Sequence, residues 1–218
     1  MSNKSFYTLR EERANYITHA IGVIMAIIAS FFLMDKAIEV KDKIAVIAYL
    51  IFSIGMISCM LASTIYHFVE TPKTKSKLRH FDHASIYLLI AASYSPFTFI
   101  LLRNEVIWST IVLSIVWLVA IVGILVSFGK LKQNSHLKTI SYVAMGLIVV
   151  IAFKPLIESA KAQDCMSVIY WLVAGGAFYI IGAAIYATAK REFVHAIFHI
   201  FVLFGLASHI IAAYSLPL

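Results

Sequence analysis

Seven long stretches of the chain carry almost no charge, and short charged segments separate them. They run over residues 14–34, 44–69, 83–102, 106–129, 139–157, 165–189 and 193–218. Each has about the 17–25 residues that an α-helix needs to cross the hydrocarbon core of a bilayer. Membrane strands are shorter and alternate apolar with polar residues, which these stretches do not. The sequence therefore predicts an all-α integral membrane protein, a seven-helix bundle forming one domain over residues 1–218.

The composition agrees with a bilayer as the solvent of this chain. Of its residues, 61% are hydrophobic and 13% are charged, whereas an ordinary soluble domain has about 25% charged residues. The formal net charge is +7, but the basic residues lie in the connections between apolar stretches. Membrane orientation explains such a pattern better than nucleic-acid binding does, so we expect no nucleic-acid partner. Cys59 and Cys165 lie at or inside apolar stretches and are expected to be packing residues.

The distribution of lysine and arginine predicts the orientation of the bundle. Seven crossings place twelve of these residues on the side of the N-terminus and six on the other side, which accounts for all 18. Because Lys and Arg are enriched in cytoplasmic connections, we expect the N-terminus in the cytoplasm and the C-terminus outside. The basic run KTKSKLR at residues 73–79 is then a cytoplasmic anchor that could touch anionic lipid headgroups.

On this topology, polar side chains gather at the cytoplasmic ends of four helices, whereas the outer ends are comparatively plain. The residues are Glu12, Asn15 and His19 on the first helix, Ser63 and His67 on the second, Asp82 and His83 on the third, and His195 and His199 on the seventh. Ionisable residues are costly inside a membrane, so their convergence at one depth indicates a functional site.

The histidines of this group have the spacing of metal ligands. His195 and His199 are four residues apart, so both rings project from one helix face. With His67 they would form a three-histidine site, and three protein ligands plus water is the pattern of catalytic zinc centres. Asp82 could then act as a base or acceptor near the zinc-bound water, and Ser63 could orient that water or a substrate oxygen. The alternative is that each histidine is an interfacial or packing residue.

Four further residues give weaker signals. His209 lies ten residues beyond His199, which is about 15 Å along a helix, so we expect a polar link between helices rather than a ligand. His80 and His136 are expected to be solvated loop residues. Pro96 predicts a kink in the third helix, which either widens a cavity or shapes packing.

Several motifs in a fixed order carry a resemblance to a known family. They are ERANYITH at residues 12–19, STIYH at 63–67, LRHFDHASIY at 78–87 with SYSPF at 93–97, and HAIFH at 195–199. In these motifs the sequence resembles the bacterial hemolysin III family, within the wider progestin and adipoQ receptor family that includes the adiponectin receptors. The resemblance extends over nearly the whole chain.

The resemblance implies a seven-helix protein of the bacterial plasma (inner) membrane with a zinc ion near the cytoplasmic face. His67, His195 and His199 match the three zinc ligands of the family, Asp82 matches the carboxylate that faces the zinc-bound water, and Ser63 matches a nearby polar residue. The adiponectin receptors are thought to hydrolyse ceramide, which implies a ceramidase-like amidase. Only about a dozen residues precede the first apolar stretch, so hormone reception is not expected.

Three functions follow as hypotheses. The first is a zinc-dependent intramembrane hydrolase that acts on a lipid amide or ester, with membrane lipid as its substrate or ligand. The second is a non-enzymatic sensor or regulator of membrane homeostasis in which the zinc is structural. The third is a cytolytic pore former, as the family name suggests, although pore formers usually have a soluble form and this chain looks constitutively integral.

Overall fold

The computed structural model of the protein describes residues 7–129, 135–188 and 191–218, and helices account for nearly all of them. The α-helices are α1 (Leu9–Glu39), α2 (Lys43–Phe68), α3 (Pro72–Pro96), α4 (Val106–Phe128), α5 (Ser135–Gly146), α6 (Phe153–Ala162), α7 (Met166–Thr188) and α8 (Val194–Tyr214). A π-helix, Phe97–Leu101, extends α3, and a 3-10 helix, Leu147–Ala152, joins α5 to α6. α5, the 3-10 helix and α6 together form one membrane-length helix, Leu137–Ala162. Counted in this way, the described residues contain seven helices long and apolar enough to cross a membrane and no strand. The predicted all-α seven-helix membrane fold is confirmed.

Local capping explains where the first three helices begin. Thr8 and Glu11 form a capping box at the start of α1, in which each side chain accepts a hydrogen bond from the backbone N–H of the other. The Asp42 carboxylate accepts from two backbone N–H groups at the start of α2. Pro72 occupies the first turn of α3, where a missing N–H costs nothing. As a result α3 begins eleven residues before the apolar stretch over 83–102.

This early start of α3 corrects the prediction for His80. The residue lies inside α3 rather than in a loop, and its Nδ1 lies 2.6 Å from the backbone oxygen of Ser127. Its ring also stacks on that of Phe128 at a centroid distance of 6.2 Å. His80 therefore links α3 to the end of α4. The side chain of His136 lies outside the described part of the structure.

The membrane-length helices pack as a closed ring in chain order. Each contacts the next one along the chain, and α8 returns to pack against α1, as short connections favour. On α1 the buried residues recur every three or four positions, which gives one inward stripe. Its members are Glu12, Asn15, His19, Gly22, Ala26, Ala29, Leu33 and Ala37. Large apolar side chains such as Ile21 and Ile28 of α1 and Leu118 of α4 point outward and are exposed, which suits contact with lipid.

The hydroxyl group of Tyr94 explains the 3-10 segment between α5 and α6. It lies in hydrogen-bond range of the backbone oxygens of Met145 (3.0 Å) and Gly146 (2.8 Å), and it accepts from the N–H of Val149 (3.1 Å). A side chain inserted into the backbone ladder in this way breaks the α-helical pattern.

The π-helix follows Pro96 directly, which is where the sequence predicts a change in helix geometry. Because proline has no N–H, the backbone oxygen one turn earlier loses its usual donor. In the same region the hydroxyl of Thr98 donates to the backbone oxygen of Tyr94 at 2.9 Å. Tyr94, Phe97 and Thr98 all line the cavity inside the bundle, so the irregular turn contributes to the cavity wall.

The ring of helices encloses a cavity of about 780 Å³. Its lining is mostly apolar and extends along α3 from Arg79 to Leu102, just beyond the π-helix. Polar residues are concentrated at the Asp82 end, and His209 lines the wall beside Leu172 of α7. Cys59 and Cys165, predicted to be packing residues, are both buried and unpaired.

Candidate metal centre

Three histidines from two distant parts of the chain meet at the polar end of the cavity. His195 Nε2 lies 3.1 Å from the Nε2 atom of His67, which is 128 residues away in sequence, and 3.0 Å from that of His199. His67 and His199 are each only 2% exposed. One ring nitrogen from each residue lies within 4.8 Å of the other two. The predicted trio of histidines thus forms a cluster that could bind a metal ion.

The start of α8 is held in place by a contact with α1. Phe193 adopts a left-handed backbone conformation with φ of 61°, which is strained for a residue with a side chain. Its N–H donates to Glu11 Oε1 at 3.1 Å, and the other oxygen of that carboxylate accepts from Thr8. Glu11 therefore fixes the chain two residues before His195.

Glu12 sets the orientation of the His67 ring. Its Oε2 atom lies 2.7 Å from His67 Nδ1, and because a carboxylate only accepts, Nδ1 carries the hydrogen. Glu12 Oε1 also forms an ion pair with Lys75 Nζ at 3.0 Å. The same ammonium group donates to the backbone oxygens of Tyr66 and Val69 at the end of α2. Residues from α1, α2 and α3 thus hold His67 with its Nε2 lone pair facing His195.

The outer nitrogen of His199 is held in the same way by α1. Its Nδ1 atom lies 3.2 Å from the backbone oxygen of Asn15 and 3.1 Å from the Thr18 hydroxyl. That hydroxyl donates to the backbone oxygens of Ala14 and Asn15, so it accepts from the imidazole. His199 therefore carries its hydrogen on Nδ1 and presents an Nε2 lone pair to the cluster.

These two assignments leave the cluster with more lone pairs than hydrogens. His195 Nε2 faces two lone pairs and can supply at most one hydrogen. With all three rings neutral, at least one of the two close nitrogen–nitrogen contacts has no hydrogen to share, and a metal ion bound between the rings would satisfy it. Imidazoles whose outer nitrogens donate to a carboxylate or a backbone oxygen are typical metal ligands, and nitrogen donors suit zinc. The residues present fit a bound metal ion.

Asp82 and Ser63, the predicted catalytic residues, lie beside the histidine cluster. Both are buried, and both line the cavity together with His195 and His199. Ser63 is a hydrogen-bond partner of the Asp82 carboxyl, and His67 is among the neighbours close enough to influence that carboxyl. The structure therefore brings together all five residues expected at the site. Their catalytic roles remain a prediction.

The chain matches a known protein family over most of its length. The profile described as "Haemolysin-III related" matches residues 7–210. The chain belongs to this family. Hemolysin-3 of Bacillus cereus is 37% identical over 199 residues, which cover 91% of this chain and 88% of that protein. The Hemolysin-3 homolog of Bacillus subtilis (strain 168) is 37% identical over 202 residues, which cover 93% of this chain and 92% of that protein.

A more distant relative supports the wider resemblance. The adiponectin receptor protein of Drosophila melanogaster is 28% identical over 223 residues, which cover 92% of this chain and 49% of that protein. The resemblance to the hemolysin III and adiponectin-receptor-like proteins is thereby confirmed. This haemolysin-III-related chain is a multi-pass membrane protein, and its Bacillus relatives indicate a bacterial membrane.

Several residues of α1 contact the ligands of this haemolysin-III-related centre, and the sequence alone assigns them no role. Glu12 and Asn15 hold the two outer ligand nitrogens, as described above, and Thr18, which the sequence presents only as part of the motif at residues 12–19, contacts the one on His199. His19 is not part of the group of three possible ligands, and its ring stacks on that of His199 with centroids 3.5 Å apart. The spacing of residues 12, 15 and 19 was the available signal, because it places them on one helix face. His209, expected to link helices, has its Nε2 atom 3.4 Å from the backbone oxygen of Leu172.

Proposed function

We propose that the protein is a zinc-dependent intramembrane hydrolase that cleaves a lipid amide or ester. His67, His195 and His199 would hold the zinc ion. The observation that carries the proposal is the convergence of these three Nε2 atoms at the polar end of a largely apolar cavity, next to Asp82. A bound zinc ion would supply Lewis-acid polarisation of a carbonyl group and lower the pKa of a water molecule.

The remaining chemistry is assigned to residues of the chain. The Asp82 carboxylate would take a proton from the attacking water and return it to the leaving amine or alcohol. The Ser63 hydroxyl, as a hydrogen-bond partner of that carboxyl, would keep it directed at the reacting atoms. The apolar wall of the cavity would hold an acyl chain and exclude bulk water, as in other ligand pockets.

The location proposed for this reaction is the cytoplasmic side of the bacterial inner membrane. The support is the excess of lysine and arginine on the side of the N-terminus. A reporter enzyme that folds only outside the cytoplasm should be active when fused after Leu218 and inactive when fused before Met1. The opposite result would place the centre on the outer side.

The test of the hydrolase combines metal content with turnover. Purified wild-type protein should contain close to one zinc ion per chain and should release fatty acid from some member of a panel of lipid amides and esters. Asp82→Asn should keep the zinc and lose about 10²–10⁴-fold in turnover, whereas His199→Ala should lose both. His80→Ala, a histidine outside the cluster, is the matched control. Unchanged turnover in Asp82→Asn contradicts the mechanism.

The cluster also supports a second function, a non-enzymatic membrane sensor or regulator with structural zinc. Residues of α1 hold the ligands that α2 and α8 contribute, so a metal ion would join α2 to α8 next to α1. This function requires bound zinc and a loss of thermal stability on chelation. It also requires the absence of turnover on every lipid of the panel, which separates it from the hydrolase.

A further inference from the structure

Two cationic side chains line the cavity near Asp82 without an acidic partner. Arg79 of α3 and Lys138 of α5 both contribute to the wall, and among the described residues neither forms an ion pair within 4.0 Å. Lys138 Nζ donates to the Nδ1 atom of His83 at 2.7 Å, which is a neutral acceptor. The Nε atom of Arg79 is buried and has no hydrogen-bond partner within the described part of the chain.

This arrangement leaves positive charge and a hydrogen-bond donor unmatched. A buried donor without a partner is costly unless something else satisfies it. Lys75 provides a contrast on the same helix, because its charge is matched by Glu12 at 3.0 Å. Asp82 acts on Lys138 only at longer range and has Ser63 as its hydrogen-bond partner. One carboxylate thus faces two cations at this part of the cavity.

We propose that Arg79 and Lys138 bind the phosphate group of a lipid whose acyl chain occupies the cavity. The guanidinium fork suits phosphate oxygens, and an ammonium group adds a second point charge. This proposal names the substrate class of the hydrolase, and it rests on the proposed function only for the reaction that the bound lipid undergoes.

The position of Arg79 relative to Asp82 agrees with such a lipid. The two residues are three positions apart on α3, so they share a helix face and lie about 4.5 Å apart along the axis at 1.5 Å per residue. In an acylated glycerol phosphate only a few bonds separate the phosphorus atom from the acyl carbonyl carbon. A phosphate held by Arg79 and Lys138 therefore brings that carbonyl to the level of Asp82, with the chain directed into the apolar cavity.

The experiment compares two lipids that differ only in the phosphate. Full-length protein in detergent micelles is titrated with 1-oleoyl lysophosphatidic acid and with 1-oleoyl glycerol, and native mass spectrometry gives both dissociation constants. Wild-type protein should bind the phosphate lipid at least tenfold more tightly. Arg79→Gln and Lys138→Gln should each remove most of that preference, and Arg79→Lys should retain part of it. Unchanged binding of oleoyl glycerol shows that these variants are folded.

Lys77→Gln is the matched control, because Lys77 is exposed on the same helix and does not line the cavity. Equal loss in Lys77→Gln would overturn the proposal in favour of diffuse surface attraction. Equal affinity of wild-type protein for the two lipids would overturn it directly. Oleate that binds as tightly, with the same dependence on Arg79, would assign the site to carboxylates instead.

The experiments distinguish failure of the phosphate-binding site from failure of the proposed hydrolase. Phosphate preference in wild-type protein that turns over no lipid of the panel leaves the binding site standing while the hydrolase fails. Turnover of acyl lipids with no preference for phosphate leaves the hydrolase standing while the binding site fails.

Discussion

Glu12 Oε2 lies 2.7 Å from His67 Nδ1, and this contact determines which nitrogen of His67 faces the other two histidines. The carboxylate is itself held by Lys75, so its position does not depend on a metal ion. A carboxylate that accepts from the outer nitrogen of a ligand histidine fixes the orientation of the ring and raises its basicity. The centre is therefore organised from α1, although α1 supplies none of the three histidines.

We expect Glu12→Gln to weaken zinc binding by about 10–100-fold, because the neutral amide no longer raises the basicity of His67. Competition with a chromophoric chelator measures the affinity. Glu39→Gln changes the same residue type at the exposed far end of α1 and should leave the affinity unchanged. An unaltered affinity in Glu12→Gln would show that the contact does not support the metal site.

Removing the metal should lower the thermal stability of the wild-type protein. A ligand that binds only the folded state stabilises it by mass action, and here the ligand would join α2 to α8. A chelator should therefore reduce the melting temperature of the wild-type protein. Adding zinc back should restore it. His195→Ala should melt at the lower temperature with or without chelator. A chelator effect of equal size in His195→Ala would place the responsible metal elsewhere.

Tyr94→Phe should destabilise the bundle by about 1–3 kcal/mol, the cost of leaving buried backbone groups without a partner. The lost hydroxyl serves two backbone oxygens and the N–H of Val149. The melting temperature in detergent reports the change. Tyr170→Phe is the control, since Tyr170 is 68% exposed on α7 and should tolerate the loss of its hydroxyl. Equal melting temperatures for the two variants would contradict the bridging role of Tyr94.

Two adjacent glycines of α7 should respond in opposite ways to alanine. A Cβ atom at Gly175 would lie 2.3 Å from the His209 ring, whereas one at Gly176 would have no atom within 4 Å. Gly175→Ala should therefore cost about 1–3 kcal/mol through overpacking, and Gly176→Ala should be neutral or slightly stabilising because alanine favours helix. Thermal melting of the two variants side by side tests this. A more stable Gly175→Ala would show that the two helices can separate freely.

The connection between α1 and α2 should show acid sensitivity. Burial raises the pKa of the Asp42 carboxyl, but the N–H of Ala45, the Arg103 guanidinium and the N–H of Ile44 outweigh it and hold that pKa below its usual value. A folded pKa below the unfolded one stabilises the protein at pH values above the ordinary pKa of about 3.9, and that stability is lost as the pH falls. The melting temperature of Asp42→Asn should therefore fall less steeply below about pH 4 than that of the wild type.

The histidine cluster could be predicted from sequence because each part of it has a local signal. The four-residue spacing of His195 and His199 places two rings on one face, and charge patterning brings the end of α2 to the same depth. Asp82 follows from its position at the mouth of the third apolar stretch. These inferences use only helix periodicity and the position of helix ends in a membrane.

Other features depend on contacts that no local pattern encodes. Phe193 has no sequence signal for its left-handed conformation or for its bond to Glu11. The 3-10 segment after Gly146 depends on a hydroxyl group from α3, about 50 residues earlier in the chain. Lys75 belongs to a basic run that by itself indicates only membrane anchoring, and its role in holding Glu12 emerges from tertiary packing.

The ring order of the helices has a consequence for biogenesis. The histidines come from the second and the last membrane-length helix, and they meet only because α8 closes the ring against α1. During synthesis the first six helices would enter the bilayer with His67 already paired to Glu12 but lacking its companions. Any metal ion would therefore be bound late, after insertion of the final helix, because a ribosome-stalled chain ending before His195 would offer only one of the three imidazoles.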